Sequence, residues 1–350
     1  MSDEMLDLLA PVQDDEERAA FLHLDPAGFY IRHPPPAHEL RSFITPDEQV
    51  FQTIHMGAAV IDSGAWLLSV TGLVDRPFAL DLNLLRRLPR RTITAVHECF
   101  GSPLKPATQN VWRVANVRWT GVRLKDVVAL ARPRTGASFV WTEGLDRGTF
   151  GGVVADRYQK DLPMDKAMDE DVLLAYQMNG ERLSKNRGGP VRLVVPGWFG
   201  TNSTKWISKI ELRDRRAPGP YTTTFYNEPD PTGPTGPQRT MRAVWQMEPN
   251  SMIVRPVSGE EHEGHEVRVE GWAWSADGIA GVQVSGDGGQ SFSNGQVEER
   301  VEASWQKFTA TLQLKPGRCT ILARATALDG RSQPLQGRRN HCHSIECVVK

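Results

Sequence analysis

The sequence predicts an α+β domain followed by a smaller all-β domain, and three observations support this division. The chain has 350 residues, more than a single hydrophobic core commonly serves. Helical and strand patterns alternate in its first two thirds, whereas its last third holds short alternating segments separated by Gly/Asp turns. The stretch 218–237 is rich in proline and glycine, which is typical of a linker. We therefore expect an N-terminal arm at 1–40, a first domain at 41–237 and a second at 238–350.

Local patterns predict the elements of the first domain. Helices are expected at 15–21, at 80–88 with Asp81 as N-cap, and at 124–130. Residues 171–177 are predicted to be helical or extended, followed by a turn at Asn179 and Gly180. Strands are predicted where apolar and β-branched residues cluster or alternate, at 65–73, 92–97, 138–142, 191–196 and 206–212.

The second domain shows the pattern of an immunoglobulin-like β-sandwich. Turns are expected at dipeptides such as Asp277-Gly278 and Asp329-Gly330. Trp272 and Trp274 flank one strand, and we expect them to pack in a core or an interface. The predicted strands are 266–274, 279–285, 305–314, 319–326 and 344–349, a spacing typical of that sandwich.

Bulk composition excludes some functions. The formal net charge is -1, so the chain lacks the excess of basic residues that neutralises nucleic acid. Its apolar stretches fall short of the roughly 18 residues that cross a bilayer. The N-terminus is acidic without a signal-peptide pattern, and four cysteines in 350 residues fit a reducing compartment. We expect a cytoplasmic protein with no nucleic-acid or membrane partner.

Cys99 is the strongest candidate for a functional residue. It lies where a β-branched strand gives way to a loop containing Gly101 and Pro103. A thiol in such a position can act as a nucleophile or bind a metal. The alternative is a buried small apolar residue, since free cysteine is commonly buried.

Several distant segments, in order and spacing, resemble the sulfite oxidase family of molybdenum-cofactor oxidoreductases. In the first domain they are CFG at 99–101, VRWTGVRL at 117–124, EGLD at 143–146, LLAYQMNG at 173–180, GPVRLVVPG at 189–197 and KW at 205–206. In the second domain they are GWAWS at 271–275 and VSGDGG at 284–289. The fold this implies is a mixed α/β molybdopterin-binding domain of sulfite-oxidase type followed by the family's immunoglobulin-like dimerisation domain.

The resemblance also implies a cofactor site. One cysteine of the family binds molybdenum together with a single pyranopterin, and the matching residue here is Cys99. Soft thiolate donors suit such a metal. Tyr226 matches the active-site tyrosine, whose phenol can donate a hydrogen bond to a substrate oxygen. The positions that match cofactor-binding donors are His55, Asp146, Arg187, Arg192, Ser203 and Lys205. For the charged ones the alternative is a solvated surface group.

The same resemblance implies an oxygen-atom transfer enzyme, with sulfite oxidation to sulfate as the first expectation. The sequence contains no C-x-x-C-H haem attachment motif, so we expect no haem and an external electron acceptor. The second domain predicts a homodimer. His341, Cys342, His343 and Cys347 form a group that zinc could use, but their spacing is not that of a standard zinc motif.

Three positions depart from the family and leave the substrate open. Leu104 and Thr53 stand where sulfite oxidases have arginines, and Arg187 replaces a histidine. Loss of two cations weakens an anion site, although Lys105 or Arg187 could restore charge. The alternatives are the same cofactor acting on another small substrate, of sulfoxide or N-oxide type, or a catalytically weak dimeric scaffold.

Overall fold

The computed structural model describes residues 6, 8–12, 21–102, 112–230, 233–234 and 236–350. The helix predicted at 15–21 lies outside the described residues except for Phe21, which begins a strand. Leu104 and Lys105 also lie outside them. Among the described residues, no helix combines the length and hydropathy that a membrane-spanning segment requires.

Strands dominate the first part of the chain, with short helices between them. The strands are β1 (Phe21–Ala27), β2 (Tyr30–Arg32), β3 (Gln52–Ile54), β4 (Gly57–Ile61), β5 (Leu67–Gly72), β6 (Phe78–Asp81), β7 (Arg90–Glu98), β8 (Val114–Arg123), β9 (Phe139–Gly144), β10 (Gly148–Phe150), β11 (Val153–Ala155), β12 (Gln159–Pro163), β13 (Leu173–Met178), β14 (Glu181–Arg182), β15 (Arg192–Val194), β16 (Ile207–Arg213), β17 (Asn227–Pro229) and β18 (Met241–Ala243). The helices are α1 (Leu82–Arg87), α2 (Leu124–Leu130), α3 (Met164–Ala167) and α4 (Pro220–Thr223). Single turns of 3-10 helix occur at Ala37–Glu39, Asp47–Gln49, Lys185–Arg187, Gly200–Asn202 and Gly236–Gln238.

Two sheets organise this part of the molecule. One has the order β12-β9-β16-β5-β6, and the other has the order β14-β13-β8-β7, with β15 also paired to β13. Apolar side chains from both sheets and from α1 and α2 form one core, including Leu68, Val122, Leu174 and Ile210. The segment before residue 40 wraps onto this body, because β1 pairs with β4 and β2 pairs with β3.

The second part of the chain is a β-sandwich. Its strands are β19 (Asn250–Arg255), β20 (Glu261–His262), β21 (Glu266–Trp274), β22 (Ile279–Ser285), β23 (Ser293–Asn294), β24 (Gln296–Val297), β25 (Gln306–Gln313), β26 (Gly317–Ala327) and β27 (Ser344–Val349). They form two sheets of order β19-β21-β25-β24 and β20-β27-β26-β22-β23. Val269, Val284, Phe308 and Ile321 lie in the core between them. The predicted fold class, an α+β domain followed by an immunoglobulin-like sandwich, is therefore confirmed.

Several local predictions are confirmed and others are wrong. Asp81 caps α1, because its carboxylate accepts a hydrogen bond from the Leu84 amide at 2.7 Å. The open choice at 171–177 is settled as a strand, β13. The linker interpretation of 218–237 is wrong for its first part, where α4 and β17 are ordered and β17 pairs with β18. Proline and glycine there shape a compact turn, so composition alone misled the prediction.

A third apolar cluster joins the two parts. Trp272 and Trp305 stack with ring centroids 4.7 Å apart, and Trp274 contacts Trp112 edge-on at 5.7 Å. Leu40, Val96, Val114, Phe199 and Met252 complete the cluster. The expectation that Trp272 and Trp274 pack in a core or an interface is confirmed, since both are buried where the sandwich meets the first part of the chain.

Candidate active site

A single pocket gathers the site residues that the sequence predicted. Among the described residues, its wall is formed by side chains between Val50 and Tyr226. The predicted residues that line it are His55, Cys99, Asp146, Arg187, Arg192, Ser203, Lys205 and Tyr226.

Cys99 follows the last residue of β7, where a tight turn presents its side chain to the pocket. The Cys99 amide donates to the Arg113 carbonyl at 2.9 Å, and the Ser102 amide donates back to the Cys99 carbonyl at 3.0 Å. The thiol is half-buried, and its Sγ atom lies 3.9 Å from the hydroxyl oxygen of Thr53. A sulfur fixed by its main chain but only weakly engaged by its neighbours can bind a ligand from the pocket.

Two cations, the buried Arg192 and the half-buried Lys205, are held by main-chain carbonyls. The Arg192 guanidinium donates to the carbonyls of Arg187 and Ser203 at 3.1 and 3.2 Å. The Lys205 ammonium donates to the Thr53 carbonyl at 2.6 Å. Burial lowers the pKa of Arg192 to about 9 and the pKa of Lys205 to about 7, because desolvation disfavours the charged form. An anionic group in the pocket would favour both charges.

Arg187 is buried in the pocket wall and is committed to other partners. Its Nε donates to the Asp47 carboxylate at 2.9 Å, and its other nitrogens donate to the carbonyls of Phe51 and Val50 at 2.9 and 3.1 Å. Much of its charge is therefore offset by Asp47. This arrangement makes Arg187 a poor replacement for the missing anion-binding cations.

His55 and Tyr226 form one polar pair. The His55 Nε2 and the Tyr226 hydroxyl oxygen are 2.5 Å apart. Burial, with smaller effects from Lys205 and Arg113, lowers the pKa of His55 to about 3. Burial also raises the pKa of the Tyr226 phenol. Both groups are therefore uncharged near neutral pH, and the pair can hold a proton where a substrate oxygen would approach.

Asp146 and Ser203 supply further polar atoms. Burial raises the pKa of Asp146 to about 7, while the nearby Lys205 opposes that shift. The Ser203 hydroxyl oxygen accepts from the Val195 amide at 3.1 Å. Because the oxygen is the acceptor in that bond, its own proton stays available for a ligand in the pocket.

Sequence reasoning missed other residues of the pocket wall. His97 is stacked on Phe51 at 5.6 Å and meets the edge of Trp119 at 5.8 Å. The Tyr158 hydroxyl donates to the Thr201 carbonyl at 2.6 Å. One signal for His97 was present, because residues two apart on a strand share a face and His97 is two residues before Cys99.

The pocket fits an anionic cofactor that carries a soft metal. Cys99 supplies a sulfur donor, and Arg192 and Lys205 supply positive charge. The Trp119 Nε1 atom is buried at the pocket wall and has no hydrogen-bond partner among the described residues. A Cβ atom on Gly188 would lie 2.5 Å from the Cγ of Lys205, so the absence of a side chain at Gly188 leaves room for the Lys205 side chain.

Both parts of the chain match families of molybdenum enzymes. Residues 55–221 match the family described as oxidoreductase molybdopterin binding domain, and residues 241–344 match the Mo-co oxidoreductase dimerisation domain. Sulfite oxidase of Gallus gallus is 31% identical over 312 residues, which cover 79% of this chain and 67% of that protein. The chain belongs to the sulfite oxidase family of molybdenum-cofactor oxidoreductases.

Two further relatives define the extent of the similarity. Mitochondrial sulfite oxidase of Rattus norvegicus is 30% identical over 306 residues, which cover 82% of this chain. The match spans only 55% of the length of that relative. The crystal structure of the sulfane dehydrogenase SoxCD from Paracoccus pantotrophus superposes with a TM-score of 0.79 at 26% identity, covering 94% of this chain and 88% of that one.

Proposed function

We propose that this protein catalyses oxygen-atom transfer between water and a small oxyanion-type substrate, with sulfite as the first candidate. The observation that carries the proposal is the presence of the Cys99 thiol in one pocket with Arg192, Lys205 and Tyr226. The similarity to proteins named sulfite oxidase supports the same reaction class. When bound, the molybdenum cofactor supplies the two-electron redox chemistry, and the protein supplies binding and orientation.

The side chains have distinct roles in this proposal. Cys99 is the metal ligand, and Arg192, Lys205 and Ser203 hold the anionic part of the cofactor. In the tautomer with its proton on Nε2, the neutral His55 donates to the Tyr226 hydroxyl oxygen, which leaves the phenol proton for a hydrogen bond to a substrate oxygen. Asp146 and Arg187 complete the polar wall around the pterin.

In this proposal the electrons then leave to an external acceptor. We place the protein in the cytoplasm as a homodimer that associates through its second domain. The match to the dimerisation family supports the homodimer. Sedimentation velocity on the full chain at micromolar concentration should show a dimer, and a monomer under those conditions contradicts this part of the proposal.

A second candidate is a small neutral substrate of sulfoxide or N-oxide type. The observation that favours it is Thr53, whose hydroxyl lies 3.9 Å from the Cys99 sulfur where the family has an arginine. A neutral side chain beside the metal ligand attracts a dianion less strongly than a guanidinium does. A catalytically weak dimeric scaffold is the remaining alternative.

Metal analysis and kinetics test the proposal together. Purified full-length protein should contain about one molybdenum per chain and should reduce an artificial acceptor when sulfite is added, with rates normalised to molybdenum. Protein without molybdenum, after expression in a host that makes the cofactor, supports the scaffold. Molybdenum with turnover of a sulfoxide or N-oxide but not of sulfite supports the second candidate.

A charge-restoring variant tests the substrate more closely. The double substitution Thr53→Arg and Leu104→Arg should raise kcat/KM for sulfite, mostly through a lower KM, because it restores the arginines that sulfite oxidases have at these two positions. The gain should shrink as ionic strength rises. Thr311→Arg, on an exposed sandwich position, is the matched control and should leave KM unchanged. A wild-type enzyme that already saturates at micromolar sulfite contradicts the expectation.

A further inference from the structure

The loop that carries Cys99 is braced from outside the pocket by the sandwich. The described pocket wall consists of side chains between Val50 and Tyr226, so the sandwich adds no described side chain to it. Even so, the main chain of β7 is joined to the sandwich. The Thr94 amide donates to the Glu302 carboxylate at 2.6 Å, and the Val96 amide donates to the Ala303 carbonyl at 3.0 Å.

Arg339 makes the closest of these connections to the cysteine. Its guanidinium donates to the Ser102 carbonyl at 2.9 Å and lies 5.1 Å from the centre of the Phe100 ring. It also lies 3.7 Å from the Glu98 carboxylate and donates to the Glu248 carboxylate at 2.9 Å. One planar side chain of the sandwich thus contacts the residues on both sides of Cys99 and the end of its turn.

Glu98 fixes the other side of the cysteine. It is fully buried, and its carboxylate accepts hydrogen bonds from the Trp274 indole at 3.0 Å and the Asn250 amide at 3.2 Å. Successive side chains of a strand point to opposite faces. The sandwich therefore holds Glu98 on one face of the β7 end, while the next residue, Cys99, projects into the pocket on the other.

We propose that Arg339 is a positioning residue that sets where the Cys99 sulfur lies. A metal ligand must be held within about 0.5 Å of its productive position by groups that are themselves locked. Charge-assisted hydrogen bonds and ring stacking give a planar guanidinium that capacity. The inference rests on the proposed function for its metal consequence, but the restraint on the thiol does not depend on a metal.

Direct binding of substrate is a different role, and the contacts of Arg339 argue against it. The guanidinium faces two carboxylates, those of Glu98 and Glu248, which offset its charge. Its central carbon, Cζ, lies over the rings of Phe100 and Phe199, with the Phe199 ring centre 4.5 Å away. A guanidinium engaged in this way braces a loop and has little net charge with which to attract a mobile anion.

Comparison of two neighbouring arginines tests the proposal. Arg338 also donates to Glu248, at 2.8 Å, but among the described residues its guanidinium makes no hydrogen bond to the Cys99 loop. We compare Arg339→Gln with Arg338→Gln in the full chain. The first readout is the sulfur-to-molybdenum charge-transfer absorption of the loaded enzyme. The second is the rate at which iodoacetamide alkylates Cys99, followed by peptide mass spectrometry in full-length protein from a cofactor-deficient host.

We expect Arg339→Gln to shift the absorption band and to speed alkylation by about threefold to tenfold, since one charge-assisted bond restrains the turn. Arg338→Gln should change neither. If Arg339→Gln does not fold, Arg339→Lys keeps a charge between the two carboxylates without the planar fork, and it should change both readouts in the same direction by less.

Equal alkylation rates and identical spectra in the Arg339 and Arg338 variants would overturn the inference. The proposed function fails in a separate way, through wild-type protein that contains no molybdenum. In that case the faster alkylation of Cys99 in the Arg339 variants still holds, because it depends on the restraint of the thiol and not on the metal.

Discussion

Arg192 and Lys205 show how single residues prepare the pocket for an anion. Arg192 is buried and Lys205 is half-buried, and main-chain carbonyls receive their hydrogen bonds. Carbonyl dipoles satisfy the donors without cancelling the charge, so positive potential remains in the pocket. A negatively charged cofactor would supply the missing countercharge, and its binding would raise the pKa of Lys205.

Replacement of Cys99, the proposed metal ligand, gives the most direct prediction at this scale. Cys99→Ser should keep the fold, because the hydroxyl is nearly isosteric and the turn is held by main-chain bonds. It should reduce turnover per molybdenum by at least about a hundredfold, since serine lacks the soft thiolate donor. Cys319→Ser, on the sandwich, is the matched control and should keep full activity. Comparable turnover in the Cys99 variant would disprove the assignment.

His55 leads to a prediction about pH. Its pKa is about 3 in the folded protein, against 6.5 for a free side chain. Between those values the unfolded chain binds a proton that the folded protein does not, so stability falls as pH decreases through this window. His55→Gln keeps a partner for Tyr226 but cannot titrate. Between pH 6.5 and 3 the free energy of unfolding of this variant should therefore fall by roughly 2–4 kcal/mol less than that of the wild type.

Urea unfolding of both proteins at a series of pH values measures this difference. His23→Gln provides the control, because that residue is exposed on β1. The control should follow the wild-type dependence on pH. A His55 variant that loses stability with acid as steeply as wild type would show that the imidazole is not held neutral.

The sequence predicted residues of the site better than their contacts. The eight residues expected from motif order line one pocket. The order and spacing of motifs along the chain indicate the fold, and the fold determines which residues meet. Arg339 gave no comparable signal. It is far from Cys99 in sequence, and only the packing of the sandwich against β7 brings its guanidinium to the Ser102 carbonyl.

Strand β7 is the element that connects the two halves of the molecule. Its alternation places Glu98 toward the sandwich and His97 and Cys99 toward the pocket. Local chemistry made such elements predictable: Asp81 caps α1, and Asn179 and Gly180, both with positive φ, form the turn between β13 and β14. The linker prediction from composition was wrong at 218–230, because the tertiary contacts that order Tyr221 and Tyr226 involve residues distant in sequence and produce no local sequence pattern.

The turn of 3-10 helix at Lys185–Arg187 ends at Gly188, and this element yields a prediction. Gly188 has a φ of 89°, and an added Cβ would lie 2.6 Å from the Cβ of Lys205. Gly188→Ala should therefore combine backbone strain of about 1 kcal/mol with displacement of Lys205, which we propose binds the cofactor. Both effects should lower the free energy of unfolding, and displacement of Lys205 should also lower the molybdenum content.

Gly180→Ala separates these two effects. Gly180 has a similar φ of 91°, but nothing lies within 4 Å of an added Cβ. It should show the strain alone, with normal molybdenum content. Unfolding curves and metal analysis of both variants make the comparison. Equal metal content in the two would show that Lys205 is not displaced.

At the scale of the whole molecule, the apolar contact between the two parts is built like a core. Trp272 and Trp305 are buried in it, and their indole nitrogens donate to the carbonyls of Leu40 and Phe43 at 2.7 and 3.0 Å. The buried Glu98 joins the same boundary through Trp274. Separation of the parts would expose large aromatic surfaces and uncover a buried carboxylate, which is strongly unfavourable.

We therefore expect the two parts to unfold as one cooperative unit. Val284→Ala makes a cavity in the sandwich core, far from the pocket, and should cost about 2 kcal/mol. It should lower two urea midpoints by the same amount. One is the midpoint of the far-UV circular dichroism signal, and the other is the midpoint of the increase in the alkylation rate of Cys99. Val301→Ala, at an exposed sandwich position, should change neither midpoint. If the sandwich were an independent unit, the Val284 variant would leave the Cys99 midpoint at its wild-type value, because the first part would keep its own stability while the sandwich unfolded.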